Sequence, residues 1–358
     1  MNGSAGRNAR PVVILYGAVP ANAPADEQDV LVEVATVEQA LISLGYPVQR
    51  LALTLDLAAA RRQLLELRPR LVFNLVESLA GSGQYIHCAP ALLDELGLPY
   101  TGAPLNATFL SSNKLLAKQW LQQAGIATPP WLTPASLAQA VPETGPWFVK
   151  SVWEHASIGL DDNSLVATAN ALPARLAERQ ARYGGSWFAE RYIDGREFNL
   201  ALLEGPQGMT LLPPAEIVFH DYPPGKPRIV GYAAKWDEHS FEFQNTPRRF
   251  DFAAADQPLL RQLNELAQRC SALFGLRGYA RVDFRVDAHN QPWVLEINTN
   301  PCLSPDAGFA AALAQAGLSL RAAVAHIVTA ALPSTNRMGT ETAGPQHALH
   351  SQHGVAVT

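Results

Sequence analysis

Residues 278–300, "GYARVDFRVDAHNQPWVLEINTN", hold two runs of alternating apolar and polar residues around a polar, turn-like centre. Successive side chains of a strand point to opposite faces, so Arg281, Asp283 and Arg285 share one face and Val282, Phe284 and Val286 the other. In the second run Glu296 and Asn298 alternate with Leu295 and Ile297. A loop over residues 288–291 sets Asp283 opposite Glu296 and Arg281 opposite Asn298, with all four on one face. Two carboxylates placed directly opposite repel unless a cation lies between them. Oxygens from Asp, Glu and Asn form a hard donor set, suited to magnesium shared with phosphate and not to zinc. Spacing alone leaves a second reading open: a solvated charged hairpin whose Arg281 neutralises its neighbours.

Working outward, the 358 residues suffice for two or three domains. A net charge of −5 argues against general nucleic-acid binding. Cys88, Cys270 and Cys302 are the three cysteines, an odd number without C-x-x-C spacing, so neither a disulfide framework nor a zinc knuckle is indicated. No stretch offers the roughly 20 apolar residues of a spanning helix. A soluble, cytoplasmic protein is expected, without membrane or nucleic-acid partners.

The first hundred residues alternate strand and helix: "VVILY", then "DVLVEVATVEQALISLG", "PVQRLAL", "LAAARRQLLELR", "PRLVFNLVE" and "YIHCAPALLDELG". That order predicts a parallel sheet with ligands at its strand ends. "SSNKLLAKQWLQQAG" reads as an N-capped helix ending at Gly125, followed by the proline-rich "IATPPWLTP". Strands flanking "ALPARLAERQARYG" suggest a small α+β unit. A third part is mostly strands, with helices at "QPLLRQLNELAQRCSALFG" and "LRAAVAHIVTAAL". The tail, residues 334–358, lacks periodicity and reads as disordered, His347, His350 and His353 included.

Lysines are few, and Lys150 ends the strand "PWFVK" just before "SVWEHASIGL", a loop able to close over an anion. Glu190 and Glu197 follow in "FAERYIDGREF". Singly these are weak signals. In order, "SSNKLLAKQWL", "FVKSVWEHASIGL", "FAERYIDGREF", "GYAAKW" and the 278–300 hairpin resemble the ATP-grasp enzymes of the D-alanine:D-alanine ligase branch, over roughly residues 10–330.

The resemblance implies a three-domain α/β and α+β ATP-grasp fold: an N-terminal parallel-sheet domain at 1–113, a central domain at 114–205 and a catalytic domain at 206–333. It implies ATP between the last two. Lys114 and Lys150 would contact its phosphates, with Ser157 in the adjoining loop. Glu190 and the backbone of Tyr192 and Ile193 would hold adenine, and Glu197 the ribose. Lys235, with Trp236 beside it, matches a lid lysine, the lid spanning about 220–236. Asp283, Glu296 and Asn298 match the ligands of two magnesium ions, for which manganese can substitute. The implied reaction is amide-bond formation through an acylphosphate, with Arg281 and the backbone N–H near Cys302 facing the oxyanion. A homodimer is the family's habit.

Substrate-facing positions depart from the family. The acidic residue that receives the first substrate's ammonium has its counterpart in "ADEQDV", where Glu27 is assigned that role. Glu77 stands where the family has histidine, and Ala156 and Ser157 where it has a serine pair. Cys302 replaces a glycine, and Ala307, after Asp306, a serine. Glu77 and Asp306 add negative charge, which suggests an additional amine on a substrate. The chain reads as an ATP-dependent carboxylate-amine ligase for amino acids or small peptides. A specialised dipeptide ligase that ignores D-alanine is the alternative, and a non-catalytic ATP-binding regulator stands outside both.

Overall fold

The computed structural model describes residues 10–137, 145–155 and 157–332. The tail with its three histidines, and Ala156, lie outside the described residues.

Three sheets carry the chain. β1 (Val12–Gly17), β2 (Val48–Leu53) and β3 (Leu71–Leu75) form a parallel sheet in the order β2-β1-β3, as the alternation predicts. β1 and β3 are near-continuous apolar runs because helices cover both faces. Helix Ala25–Ser43 packs on one face through Val34, Val37 and Leu41, and it shares that core with the C-terminal helix Leu320–Ala331. Helices Leu57–Leu67 and Cys88–Glu95 cover the other. The last described helix thus packs back on the first, with Phe73, Tyr279 and Phe309 fully buried in the shared core. Each such ring stabilises by about 1.5–3 kcal/mol.

β4 (Trp131–Leu132), β5 (Trp147–Ser151), β6 (Leu165–Val166) and β7 (Trp187–Arg191) form an antiparallel sheet in the order β4-β7-β5-β6. Its apolar face is closed by helix Leu172–Tyr183 through Leu172 and Leu176. The third sheet runs β11-β10-β8-β12-β13, with β9 also on β8. Its members are β8 (Arg196–Gly205), β9 (Gly208–Leu211), β10 (Ala215–Ile217), β11 (Arg248–Arg249), β12 (Tyr279–Val286) and β13 (Pro292–Asn298). Helix Gln257–Phe274 buries Leu259, Leu263 and Phe274 against it.

Two sequence expectations shift. The strand Arg196–Gly205, grouped by sequence with residues before 205, pairs with β12 from Arg196 to Leu203 and so lies in the third sheet. Within the third part, expected to be mostly strands, residues 218–247 carry two short helices, Tyr232–Trp236 and Phe241–Gln244, the first of them in the segment expected to form the lid. The glycines and prolines of residues 218–247 interrupt the alternation that a strand requires.

Gly195 fixes how the second sheet hands over to the third. Its φ is +148°, and a Cβ there would fall 2.0 Å from the Val286 carbonyl oxygen. Only glycine allows this approach, which sets β8 beside β12 with Glu197 opposite Arg285.

Candidate active site

The hairpin pairs as the sequence predicts, by a different route. Arg281 faces Asn298 and Asp283 faces Glu296, but the loop runs from Asp287 to Gln291, and a bulge at Leu295 restores the register. Val294 donates to the Ala127 carbonyl (2.9 Å) and accepts from the Thr128 hydroxyl (2.8 Å), which holds the bulged edge in place. The bulge turns Leu295, expected on the apolar face, into the cavity beside Glu296.

That cavity has a volume of about 430 Å³ and lies where the three sheets meet. Asp283, Glu296 and Asn298 converge on it. Arg281 grips Asp283 with both arms of its guanidinium (2.7 and 2.9 Å), and Asn199 adds a bond to Asp283 (2.8 Å). His155 meets Glu296 through Nδ1, with Lys114 Nζ 3.8 Å from the same oxygen. Although burial opposes its charge, Lys114, His155 and Lys150 hold Glu296 well below the usual carboxylate range. Burial likewise opposes the Arg281 charge, yet Asp283 raises its pKa further. The oxygen donors fit magnesium: cations already balance them here, and among the described residues Asn298 Oδ1 accepts only the Asn300 N–H (2.9 Å).

The expected phosphate side is built on one helix and two strands. Asn113 caps helix Lys114–Gln123 by accepting from the N–H groups of Leu115 and Leu116. This aims Lys114 at the Glu154 carbonyl (2.7 Å) and, one turn on, Lys118 at Glu190 (2.8 Å). Lys150, at the end of β5, reaches the other Glu190 oxygen at 2.7 Å. Burial opposes the Glu190 charge, but the two lysines depress its pKa. Burial lowers Lys114 and Lys118, whereas for Lys150 the pull of Glu190 outweighs burial and raises it. Glu197 meets Arg285 at 3.1 Å, and burial raises its pKa despite that partner. Tyr192 and Ile193 line the same end of the cavity.

The segment expected to form a lid packs over this end. The Ser157 hydroxyl donates to the Val230 carbonyl (2.8 Å) and the Tyr232 N–H to Leu160 (2.9 Å), while Lys226 bridges Asp162 and Glu242. Ser157 therefore spends its hydroxyl on the lid backbone. Lys235 and Trp236 face inward, and burial lowers the Lys235 pKa, aided by Arg281. The Tyr232 hydroxyl donates to Asp26 (2.9 Å), tying the lid to the N-terminal helix.

The substrate end differs from the sequence assignment. Glu27 does not line the large cavity; it borders a neighbouring crevice with Glu77, Ser78 and Gly81. Asp29 lines the cavity instead, accepting from the Cys302 thiol (3.0 Å) and the Ser304 hydroxyl (3.1 Å). The helix begins at Ala25, so residue 27 faces away from 29. The backbone expected to face an oxyanion is also committed: Leu303 N–H donates to Glu33 (2.7 Å) and Ser304 N–H to Cys302 (3.3 Å). Burial pushes the Cys302 thiol up, followed by Glu33 and Glu77, so it stays protonated. Asp306, Ala307 and Glu77 do line the cavity, with Arg248 donating to the Asp306 carbonyl (3.1 Å). Sequence reading passed over Asp29, Glu33, Lys118, His155, Asn199 and Arg248. Three had a local signal: Lys118 lies one turn beyond Lys114, and Asp26, Asp29 and Glu33 recur at helical spacing. Arg248 had none, since only the tertiary fold brings it to the 306–308 turn.

The family model described as "D-ala D-ala ligase C-terminus" matches residues 121–329. A D-alanine–D-alanine ligase of Methylococcus capsulatus is 32% identical over 296 residues, covering 82% of this chain and 87% of the relative. One from Moorella thermoacetica is 32% identical over 313 residues, covering 83% and 94%. Among solved structures, the D-alanine–D-alanine ligase of Bacillus anthracis complexed with ATP superposes with a TM-score of 0.67 at 20% identity, covering 90% of this chain and 98% of that one. D-alanyl-alanine synthetase A of Vibrio cholerae gives 0.68 at 18%, covering 91% and 99%. The structural likenesses establish an ATP-grasp fold, and the sequence matches go further: this chain belongs to the D-alanine–D-alanine ligase family and is an ATP-dependent ligase that forms carbon–nitrogen bonds.

Proposed function

We propose that the protein joins two amino acids or small peptides, activating one carboxylate as an acylphosphate, and that its substrate pair differs from two D-alanines. The observation that carries this reading is the asymmetry of a single cavity. Lysines and hard oxygen donors occupy one end, while the acidic Asp29 and Glu77, with Cys302, line the other.

ATP would lie with its adenine toward Tyr192, Ile193 and Leu295 and its ribose toward Glu197. Its phosphates would face Lys114, Lys150 and Lys235. Magnesium held by Asp283, Glu296 and Asn298 would neutralise charge on the phosphates. The donor carboxylate attacks the γ-phosphorus, the bond to the β-γ bridging oxygen breaks, and ADP leaves. An amine then attacks the acyl carbon; phosphate departs and the amine loses a proton. Arg281, oriented by Asp283, faces the oxyanion. Arg248 supplies a second cation near the 306–308 turn, suited to the carboxylate of the incoming amine. The closed lid keeps water from the acylphosphate.

The test is ADP release from ATP and magnesium across a panel of D- and L-amino acids and dipeptides, with products identified by mass. Turnover with a pair other than D-alanine alone is expected. Efficient D-alanyl-D-alanine synthesis, with no better pair, overturns the substrate reading.

A further inference from the structure

Helix Ala25–Ser43 turns Asp26, Asp29 and Glu33 to one side, at spacings of three and four. Asp26 is taken by Tyr232. Glu33 is 1% exposed; its Oε1 accepts the Leu303 N–H, but its Oε2 is buried without a hydrogen-bond partner. Glu77, just past the end of β3, and Cys302 approach it, so that donor atoms of Glu33, Glu77 and Cys302 all lie within 4.8 Å of one another. Asp29 binds the same thiol.

Among the described residues no lysine or arginine forms an ion pair with Asp29, Glu33 or Glu77; Arg281, committed to Asp283, and Lys235 act on Glu77 only from beyond ion-pair distance. Buried carboxylates without cations are costly, and an orphaned buried oxygen adds to that cost. Burial, followed by the neighbouring acids, pushes Glu77 up to about 7 and Glu33 well above its ordinary range. Such a pocket becomes favourable when a positively charged hydrogen-bond donor enters it. A zinc ion fits less well, because the Cys302 thiol keeps its proton on Asp29 and two of the three donors are hard oxygens.

We propose that Glu33 and Glu77 form a subsite for a second amino group on the substrate whose carboxylate is activated, making that acyl donor a diamino acid. One ammonium meets Asp29 and the other enters past Glu77, at the cavity wall, toward the buried Glu33, supplying the donor that Glu33 Oε2 lacks. The single ammonium of alanine would leave the pair unmatched. This inference rests on the ligase reading for its acyl donor, but not for the binding of the second amine.

Calorimetric titration of the full chain with magnesium and a non-hydrolysable ATP analogue separates the two. Diaminopropionate, diaminobutyrate, ornithine and lysine, in both enantiomers, are compared with alanine and with aminobutyrate, norvaline, norleucine and 2-aminoheptanoate, in which a methyl replaces the second amino group. At least one diamino acid should bind about tenfold or more tightly than its monoamino isostere, and Glu33→Gln and Glu77→Gln should each abolish that preference. Equal binding of the isosteres, or a preference that survives both substitutions, overturns the subsite. Zinc that copurifies stoichiometrically with the wild type and is absent from both variants overturns it in favour of a metal centre. Should Glu33→Gln fail to fold, Glu77→Gln, at the cavity wall, decides alone. Diamino-acid preference without ADP release from any pair sinks the ligase reading and leaves the subsite standing. Full turnover on D-alanine, with no gain from diamino acids, does the reverse.

Discussion

Replacing Glu77 by glutamine should flatten the pH dependence of the free protein's stability. In the folded chain the Glu77 carboxyl titrates at about 7 in place of its ordinary 4.5, chiefly because burial disfavours its charge and then because Asp29 lies near. A raised acid stabilises the fold fully below its unfolded pKa, and that contribution is lost as pH rises through the folded one. The whole gap corresponds to about 3 kcal/mol. Solvent in the cavity screens part of it, and a window from pH 5.5 to 8.5 samples only part, leaving about 1–2 kcal/mol. Urea denaturation of wild type and Glu77→Gln at both pH values measures the difference directly. Wild type should lose about 1–2 kcal/mol more than the variant on going to pH 8.5. Parallel losses would refute the account of a carboxyl penalised by its neighbours, as would a variant that is the more pH-sensitive of the two.

Asp283→Asn and Arg281→Ala should each lower kcat by about 100-fold or more while the chain still folds, as circular dichroism would show; substantial turnover in either would remove the role given to it. Glu190→Ala strands Lys118 and Lys150 in a buried site, and chemical denaturation should show a loss of about 3–5 kcal/mol. Tyr232→Phe deletes the tie between lid and N-terminal helix, so ADP release should exceed amide formation as water reaches the acylphosphate; a coupling ratio unchanged from wild type would separate that bond from closure.

The hairpin was legible because a period of two leaves little freedom: Arg281, Asp283, Glu296 and Asn298 had to share a face whichever loop joined them. The bulge at Leu295 escaped notice because the register it restores is the one a shorter loop would have given. Lys114, Lys150, Glu190 and Glu197 emerged from their order along the chain, and the structure brings all four to one cavity. Lys118 did not: its position one turn beyond Lys114 marks the helix face, but its partner Glu190 lies 72 residues away in sequence and only the fold brings the two together. The substrate end was least legible. Glu27 and Asp29 are equally acidic in one dimension, and only the helical phase, set by a start at Ala25, decides which of them meets Cys302.

The Leu295 bulge also separates the hairpin's tip from its working base. Ala288, His289 and Asn290 are exposed at the tip, while the residues proposed to hold metal are positioned beyond the bulge by β8, the Ala127 carbonyl and the Thr128 hydroxyl. Length at the tip is therefore uncoupled from geometry at the base. A peptide epitope or surface-attachment sequence spliced between His289 and Asn290 would give an orientation-defined handle on the enzyme, one that grips the outside of the strand pair and leaves the inside undisturbed.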